Sequence, residues 1–208
     1  MLTKAGGQLR AELIQAAYRL IRSRGVAGLT TRDIAREAGC SDGALYTHFP
    51  CKLDLLSAVC EERLPNLRGE IGDLIARVGS DTVERNLLQI IKATQTFMAQ
   101  LIPITTAVAA DPGLRRRQRE HFAGAVPPPR RTLELLSDYI AAEQRIGRVS
   151  TNVAPQVFAS MLLGACYASA SAEYVFGAAP HGLGQERYAR ALARALWQGM
   201  APREKQAA

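Results

Sequence analysis

The sequence is poor in the residue patterns that carry chemistry. Its 208 residues include three histidines, His48, His121 and His181. None belongs to an HExxH run, no serine sits in a nucleophile elbow, and no glycine loop is built to cradle phosphate. An enzyme or a metal site is therefore not expected, and no cofactor is implied. Four cysteines, Cys40, Cys51, Cys60 and Cys166, show no CxxC or zinc-like spacing. They are read as reduced thiols, with a redox sensor among them as the alternative. The stretch MLTKAGGQLRAELIQAA lacks an apolar h-region, so secretion is not expected and a cytoplasmic location is. Long hydrophobic runs are missing too. The longest uncharged run, Val149 to Ala172, carries Ser150, Thr151, Asn152, Pro155 and Gln156 at one end. Its continuous apolar part is too short to span a bilayer, and a buried helix is expected instead. Strand-like alternation, repeats and low-complexity tracts are all absent, which leaves an all-α chain.

What is present is enough apolar material for a core, with 48% hydrophobic residues, and clear helical periodicity. Lys plus Arg outnumber Asp plus Glu by 26 to 19, a formal +7, which suits a polyanionic partner without demanding one. Up to Lys52 there are eight basic and four acidic residues, so this quarter of the chain holds +4 of the excess. Residues 8 to 24 place Leu9, Leu13, Ile14, Ala17, Leu20 and Ile21 on one helical face and Arg10, Glu12, Arg19, Arg22 and Arg24 around the other; Gly25 ends that helix.

Residues 30 to 56 then write two short helices in capping chemistry. Thr30 is an N-cap with Asp33 three residues on, and Ile34, Ala35 and Ala38 form an apolar face. Gly39 supplies the left-handed turn and Cys40 tucks in behind it. Ser41 caps the second helix, Leu45 points back at the first, and Pro50 stops the second after Phe49. Helix, glycine turn, helix is the helix-turn-helix pattern. A second helix of this kind meets base edges near its N-terminus and phosphates at its ends. By chemistry, Gly43 and Ala44 leave room for close approach and Thr47 offers a hydroxyl and a methyl. Tyr46 and His48 can donate to phosphate oxygens, or else pack within the small domain. Lys52 supplies a point charge, and Thr31 and Arg32 would lie over the adjoining backbone.

The run Ser41-x-Gly43-x-Leu45-Tyr46-x-His48-Phe49-x-x-Lys52 with Leu55-Leu56 resembles the DNA-binding signature of the tetracycline-repressor (TetR) family of bacterial transcriptional regulators, from about Glu12 to Val59. The resemblance implies an N-terminal three-helix helix-turn-helix DNA-binding domain, residues 1–56. A larger helical ligand-binding and dimerisation domain, 57–208, follows. It also implies backbone contacts at Tyr46, His48 and Lys52, and repression relieved by a small-molecule effector. Cys51 and Leu53 stand where Ser and Glu are more common in the family. Pro65 interrupts the linking helix, either as a hinge or as the end of one helix and the start of another.

Downstream, Asp81 with Glu84 reads as a capping box. Val83, Leu87, Leu88, Ile91, Thr94, Met98 and Leu101 keep a helical period that Pro103 is expected to close, with a shorter helix over 104–110. Arg115, Arg116, Arg117 and Arg119 are either a solvated face or a second nucleic-acid contact. Pro127-Pro128-Pro129 starts a helix that Gly147 ends. The last two helices, Pro155 to Phe176 and Gln185 to Met200, are rich in small residues. The resemblance implies that they pair with their copies in a homodimer, ordinary intrachain packing being the alternative. Such a dimer would read an inverted-repeat operator in double-stranded DNA. Phe97, Met98, Phe122, Tyr139, Met161, Cys166, Tyr167 and Tyr174 are candidates to line an effector pocket, and the scarcity of buried charge there points to an apolar or aromatic ligand. The competing function is a DNA-binding dimer controlled by a protein partner or acting architecturally, with no small-molecule ligand.

Overall fold

A computed structural model describes residues 6–26 and 28–202. The outermost residues of the two expected domains, 1–5 and 203–208, lie outside the described residues. Among the described residues there are ten helices and no strand: α1 (Gly6–Arg24), α2 (Thr31–Glu37), α3 (Asp42–His48), α4 (Lys52–Arg63), α5 (Leu67–Ala76), α6 (Val83–Ala110), α7 (Pro112–His121), α8 (Pro128–Arg145), α9 (Pro155–Phe176) and α10 (Gln185–Met200). None is long and apolar enough to cross a membrane.

By packing, the chain divides into two units. One comprises the residues up to Leu64 together with Gln100–Ala125. Here α1 buries Leu13, Ile14, Ala17, Leu20 and Ile21 against Ile34, Leu45, Leu55 and Val59 of the next three helices. The C-terminal part of α6 and all of α7 belong to the same unit, with α7 packed on α4 through Leu114. Tyr18 donates to Gln100 Oε1 at 3.0 Å. The other unit, Pro65–Ala99 with the chain from Val126 onward, closes around Ile71, Leu87, Ile91, Leu136, Tyr139, Phe158, Leu162, Cys166, Ala193 and Leu196.

Three expectations are corrected. Pro103 does not end a helix, and 104–110 is not a separate one, because α6 runs through both as 28 residues. Ile102, Ile104 and Val108 are buried around the proline, and that packing outweighs an interruption worth about 3 kcal/mol. Asp81 and Glu84 form no capping box. Asp81 has φ 54 and bonds its neighbour's amide, Thr82 N to Oδ1 at 2.7 Å. Thr82 is the cap, its hydroxyl accepting from Arg85 N at 3.2 Å. The long uncharged run is not buried all round: α9 buries Phe158, Ala159, Leu162, Cys166 and Ser169, while Val157, Met161, Tyr167, Tyr174, Val175 and Phe176 are exposed. At Pro65 the chain takes the second of its two readings. Helix α4 ends at Arg63, Leu64 is extended, and Asn66 caps α5 by accepting from Gly69 N at 3.1 Å.

Candidate nucleic-acid interface

Helices α2 and α3 are set by the caps the sequence writes. Thr30 Oγ1 accepts from Asp33 N at 3.1 Å while Asp33 Oδ2 accepts from Thr30 N at 3.2 Å, a complete capping box. The Thr30 hydroxyl, donating to Asp33 Oδ2 at 2.6 Å, and after it the Thr30 amide hold the Asp33 carboxyl below its usual range, helped by the guanidinium of Arg36. At the other end Gly39 takes φ +69. Its amide and that of Cys40 reach back to the carbonyls of Arg36 (3.1 Å) and Ala35 (2.9 Å), closing a Schellman turn. Ser41 Oγ then accepts from Ala44 N at 3.2 Å and starts α3.

Of the seven residues of α3, only Leu45 is buried. Gly43, Tyr46 and Thr47 are exposed, with Ala44 and His48 intermediate. The structure brings Thr31 and Tyr46 together, their hydroxyls 3.0 Å apart across the α2–α3 pair. Arg32, whose side chain is 83% exposed, reaches Asp42 at 3.4 Å. Thr47 spends its proton on the Gly43 carbonyl and keeps its oxygen lone pairs and methyl for the outside. Gly43 does not serve internal packing. A Cβ added there would meet nothing nearer than Ser41 Oγ at 4.0 Å.

Lys52, at the head of α4, is held differently from the free point charge the sequence suggests. Its ammonium is half-buried and donates to the Leu29 carbonyl. Burial pushes its pKa down, and the Asp111 carboxylate pushes back. Neither partner is near it in sequence, so no local pattern signals this arrangement. Cys51 caps α4 in part, its amide and thiol both bonding Asp54 Oδ2, at 3.1 and 3.2 Å.

The eight candidate pocket residues are not brought together. Tyr139 and Cys166 are buried in the core of the second unit, and Phe97 and Met98 pack against it half-buried. Met161, Tyr167 and Tyr174 are on the exposed side of α9. Phe122 belongs to the other unit. Charge is also buried where the sequence suggests little: Glu143 is 0% exposed beside Arg148 at 3.4 Å. An open groove of about 680 Å³ between α6 and α10, lined by Leu88 and Arg85, Arg190 and Arg194 among others, contains none of the eight. Burial raises the thiols of Cys60 to about 11 and Cys166 to about 12, so neither offers a thiolate near neutral pH.

One pair imitates a catalytic dyad. Ser169 Oγ lies 3.0 Å from His181 Nε2. The Leu183 amide, however, donates to Nδ1 at 3.1 Å, which places the neutral ring's proton on Nε2. The ring therefore donates to the serine and cannot take its proton.

These elements define a helix-turn-helix module whose second helix is displayed outward. The sequence model of the family described as bacterial regulatory proteins, tetR family, matches residues 13–59, the stretch that holds α2 and α3 with parts of α1 and α4. It is similar to the HTH-type transcriptional regulator TtgR of Pseudomonas putida, 44% identical over 54 residues, 26% of each protein. It is likewise similar to the HTH-type transcriptional repressor AcnR of Corynebacterium diphtheriae, 29% identical over 112 residues, 54% of this chain and 56% of AcnR. The matches thus span about a quarter to a half of these relatives. Among solved structures, NalD, the secondary repressor of the MexAB-OprM multidrug efflux pump in Pseudomonas aeruginosa, shares the fold at TM-score 0.68 and 20% identity, covering 95% of this chain and 98% of NalD. Thermus thermophilus FadR, a TetR-family transcriptional repressor solved with lauroyl-CoA, does so at 0.63 and 22%, covering 96% of this chain and 98% of FadR.

Proposed function

We propose that this chain is a homodimeric, sequence-specific DNA-binding transcriptional regulator, a repressor released from an inverted-repeat operator by a small-molecule effector. The observation that carries it is the display of α3: a doubly anchored helix that buries Leu45 and turns Gly43, Tyr46 and Thr47 to solvent. Glycine inside a helix costs about 1 kcal/mol relative to alanine. With no internal neighbour requiring it, Gly43 is the natural place for a DNA backbone or base edge to come close. In this reading Ala44 and Thr47 face bases, Thr31, Arg32, Tyr46 and His48 face phosphates, and Lys52 exchanges its Leu29 carbonyl for a phosphate when DNA arrives.

A single short recognition helix binds weakly, so two copies are needed, and the exposed apolar side of α9 with Ala191 and Ala195 of α10 supplies a self-complementary face for them. The lauroyl-CoA in the FadR complex supports an effector acting on the larger C-terminal domain, taken from residue 57 onward. Such coupling typically amounts to about 1–3 kcal/mol between sites.

The test is binding of the full chain to a labelled duplex from the DNA flanking its own gene, against a scrambled duplex. Much tighter binding to the first, abolished in Tyr46→Ala and Lys52→Ala, is the expected result. Equal binding to both would overturn sequence-specific regulation from that site. A small-molecule panel follows on the same complex; an effector raises the melting temperature and releases the duplex.

A further inference from the structure

The arginines of α7 follow directly on the point where Lys52 emerges. Asp111 caps α7, its Oδ1 accepting from Gly113 N at 2.8 Å and Leu114 N at 3.0 Å, and the same carboxylate acts on the Lys52 ammonium. Helix α7 packs on α4 within the unit that carries α3. Leu114 is buried and Gln118 and Phe122 are half-buried on that side, while Arg115, Arg116, Arg117 and Arg119 are all exposed. Glu120 reaches Arg116 at 3.8 Å. Among the described residues no carboxylate forms an ion pair with Arg115, Arg117 or Arg119.

We propose that this arginine face of α7 is a second, sequence-independent contact to the DNA backbone, continuing the surface that Lys52 begins; it rests on the reading of the chain as a DNA-binding protein. Three features select this partner. The charge is guanidinium throughout, the group whose planar fork of donors matches phosphate oxygens two at a time. The face has no exposed large apolar residue among its arginines, whereas a helix lying on a membrane needs an apolar side to insert, and that of α7 is taken by α4. Lys52, the cation that the motif offers to phosphate, has part of its charge engaged inside the protein by Leu29 and Asp111. The exposed guanidinium groups of α7 are not engaged in this way.

The experiment compares the full wild-type chain with R115Q/R116Q/R117Q/R119Q on the operator-bearing and scrambled duplexes over a salt series. Glutamine keeps much of the length and the helix propensity of the side chain, and an unchanged melting temperature confirms the fold. The expected result is weaker binding to both duplexes by the same factor, with the log–log salt slope shallower by about 0.9 for each phosphate the variant no longer neutralises. The four-lysine variant should recover most of the slope, since it restores charge without the fork. Wild-type affinity and slope in the glutamine variant would overturn the proposal and leave these arginines to solvent or to an acidic protein. So would loss of operator preference alone, which would mean a disturbed α3. If wild type binds both duplexes equally, sequence-specific regulation falls, yet the slope comparison still judges α7.

Discussion

At position 143 a carboxylate sits wholly out of water, and its surroundings are only partly arranged to hold it. Glu143 Oε1 accepts from the Gly79 amide at 3.3 Å. Arg148 approaches Oε2 at 3.4 Å as an ion pair, while Oε2 and Arg148 Nη1 make no hydrogen bond. Tyr139 lies beside the pair and accepts from Asn86 at 3.1 Å. Burial first, and the neighbouring carboxylate after it, push its phenol far above the ordinary range. Arg148 also donates to the Asp81 carbonyl, so the cluster fixes the α5–α6 turn to the end of α8. Breaking a buried pair from one side costs about 3–5 kcal/mol, because a charge is left without its partner, while replacing both ends is far milder. Arg148→Ala should therefore lower unfolding stability by about that amount, and E143L/R148M should recover most of it. A double variant as unstable as the single one in urea unfolding would show that the turn, and not the ion pair, is what the cluster secures.

At the scale of elements, α6 holds the clearest local conflict. Pro103 has no amide hydrogen, so the Ala99 carbonyl lacks its helical donor, and the Thr105 hydroxyl turns back to Leu101 and Ile102 at 3.3 and 3.1 Å. Pro103→Ala restores the missing bond, worth up to about 3 kcal/mol. Against that stands about 0.4–1 kcal/mol for the greater freedom of the unfolded chain. A net gain of about 2 kcal/mol is expected in the urea midpoint; no gain would mean that the half-buried proline ring packs well enough to replace it. The same conflict explains what can be read from the sequence. Bounds written in caps and stops are legible: α9 opens on Pro155 and closes on Gly177 in the left-handed conformation, and α2 and α3 follow Thr30, Gly39 and Ser41. Pro103 misleads because buried neighbours override a local rule. Candidate DNA contacts are legible because they lie within one short motif. Lys52's partners, Leu29 and Asp111, are distant in sequence, and the expected pocket does not assemble because α9 is apolar or small on both sides. Periodicity alone cannot say which side meets the core.

At the scale of the whole molecule, the outer side of α9 needs a cover. Val157, Met161, Tyr167, Tyr174 and Val175 recur at intervals that keep them on one side of the helix, each 46–61% exposed, with Phe176 at 81%. Ser160, Gly164 and Ala168 between them let another helix come close. In the proposed homodimer a two-fold axis would bring the same patch of both copies together, so one substitution would act twice. Met161→Glu would set two carboxylates against each other in a desolvated seam. The 22.5 kDa chain should sediment as a dimer in wild type and as a monomer in this variant. The wild-type melting temperature should rise with protein concentration and that of the variant should not. Operator binding should fall steeply although every residue of α3 is intact, because two half-sites held by one dimer become two weak, independent events. A dimeric Met161→Glu variant with normal DNA affinity would place the subunit contact elsewhere and leave the apolar side of α9 to another partner.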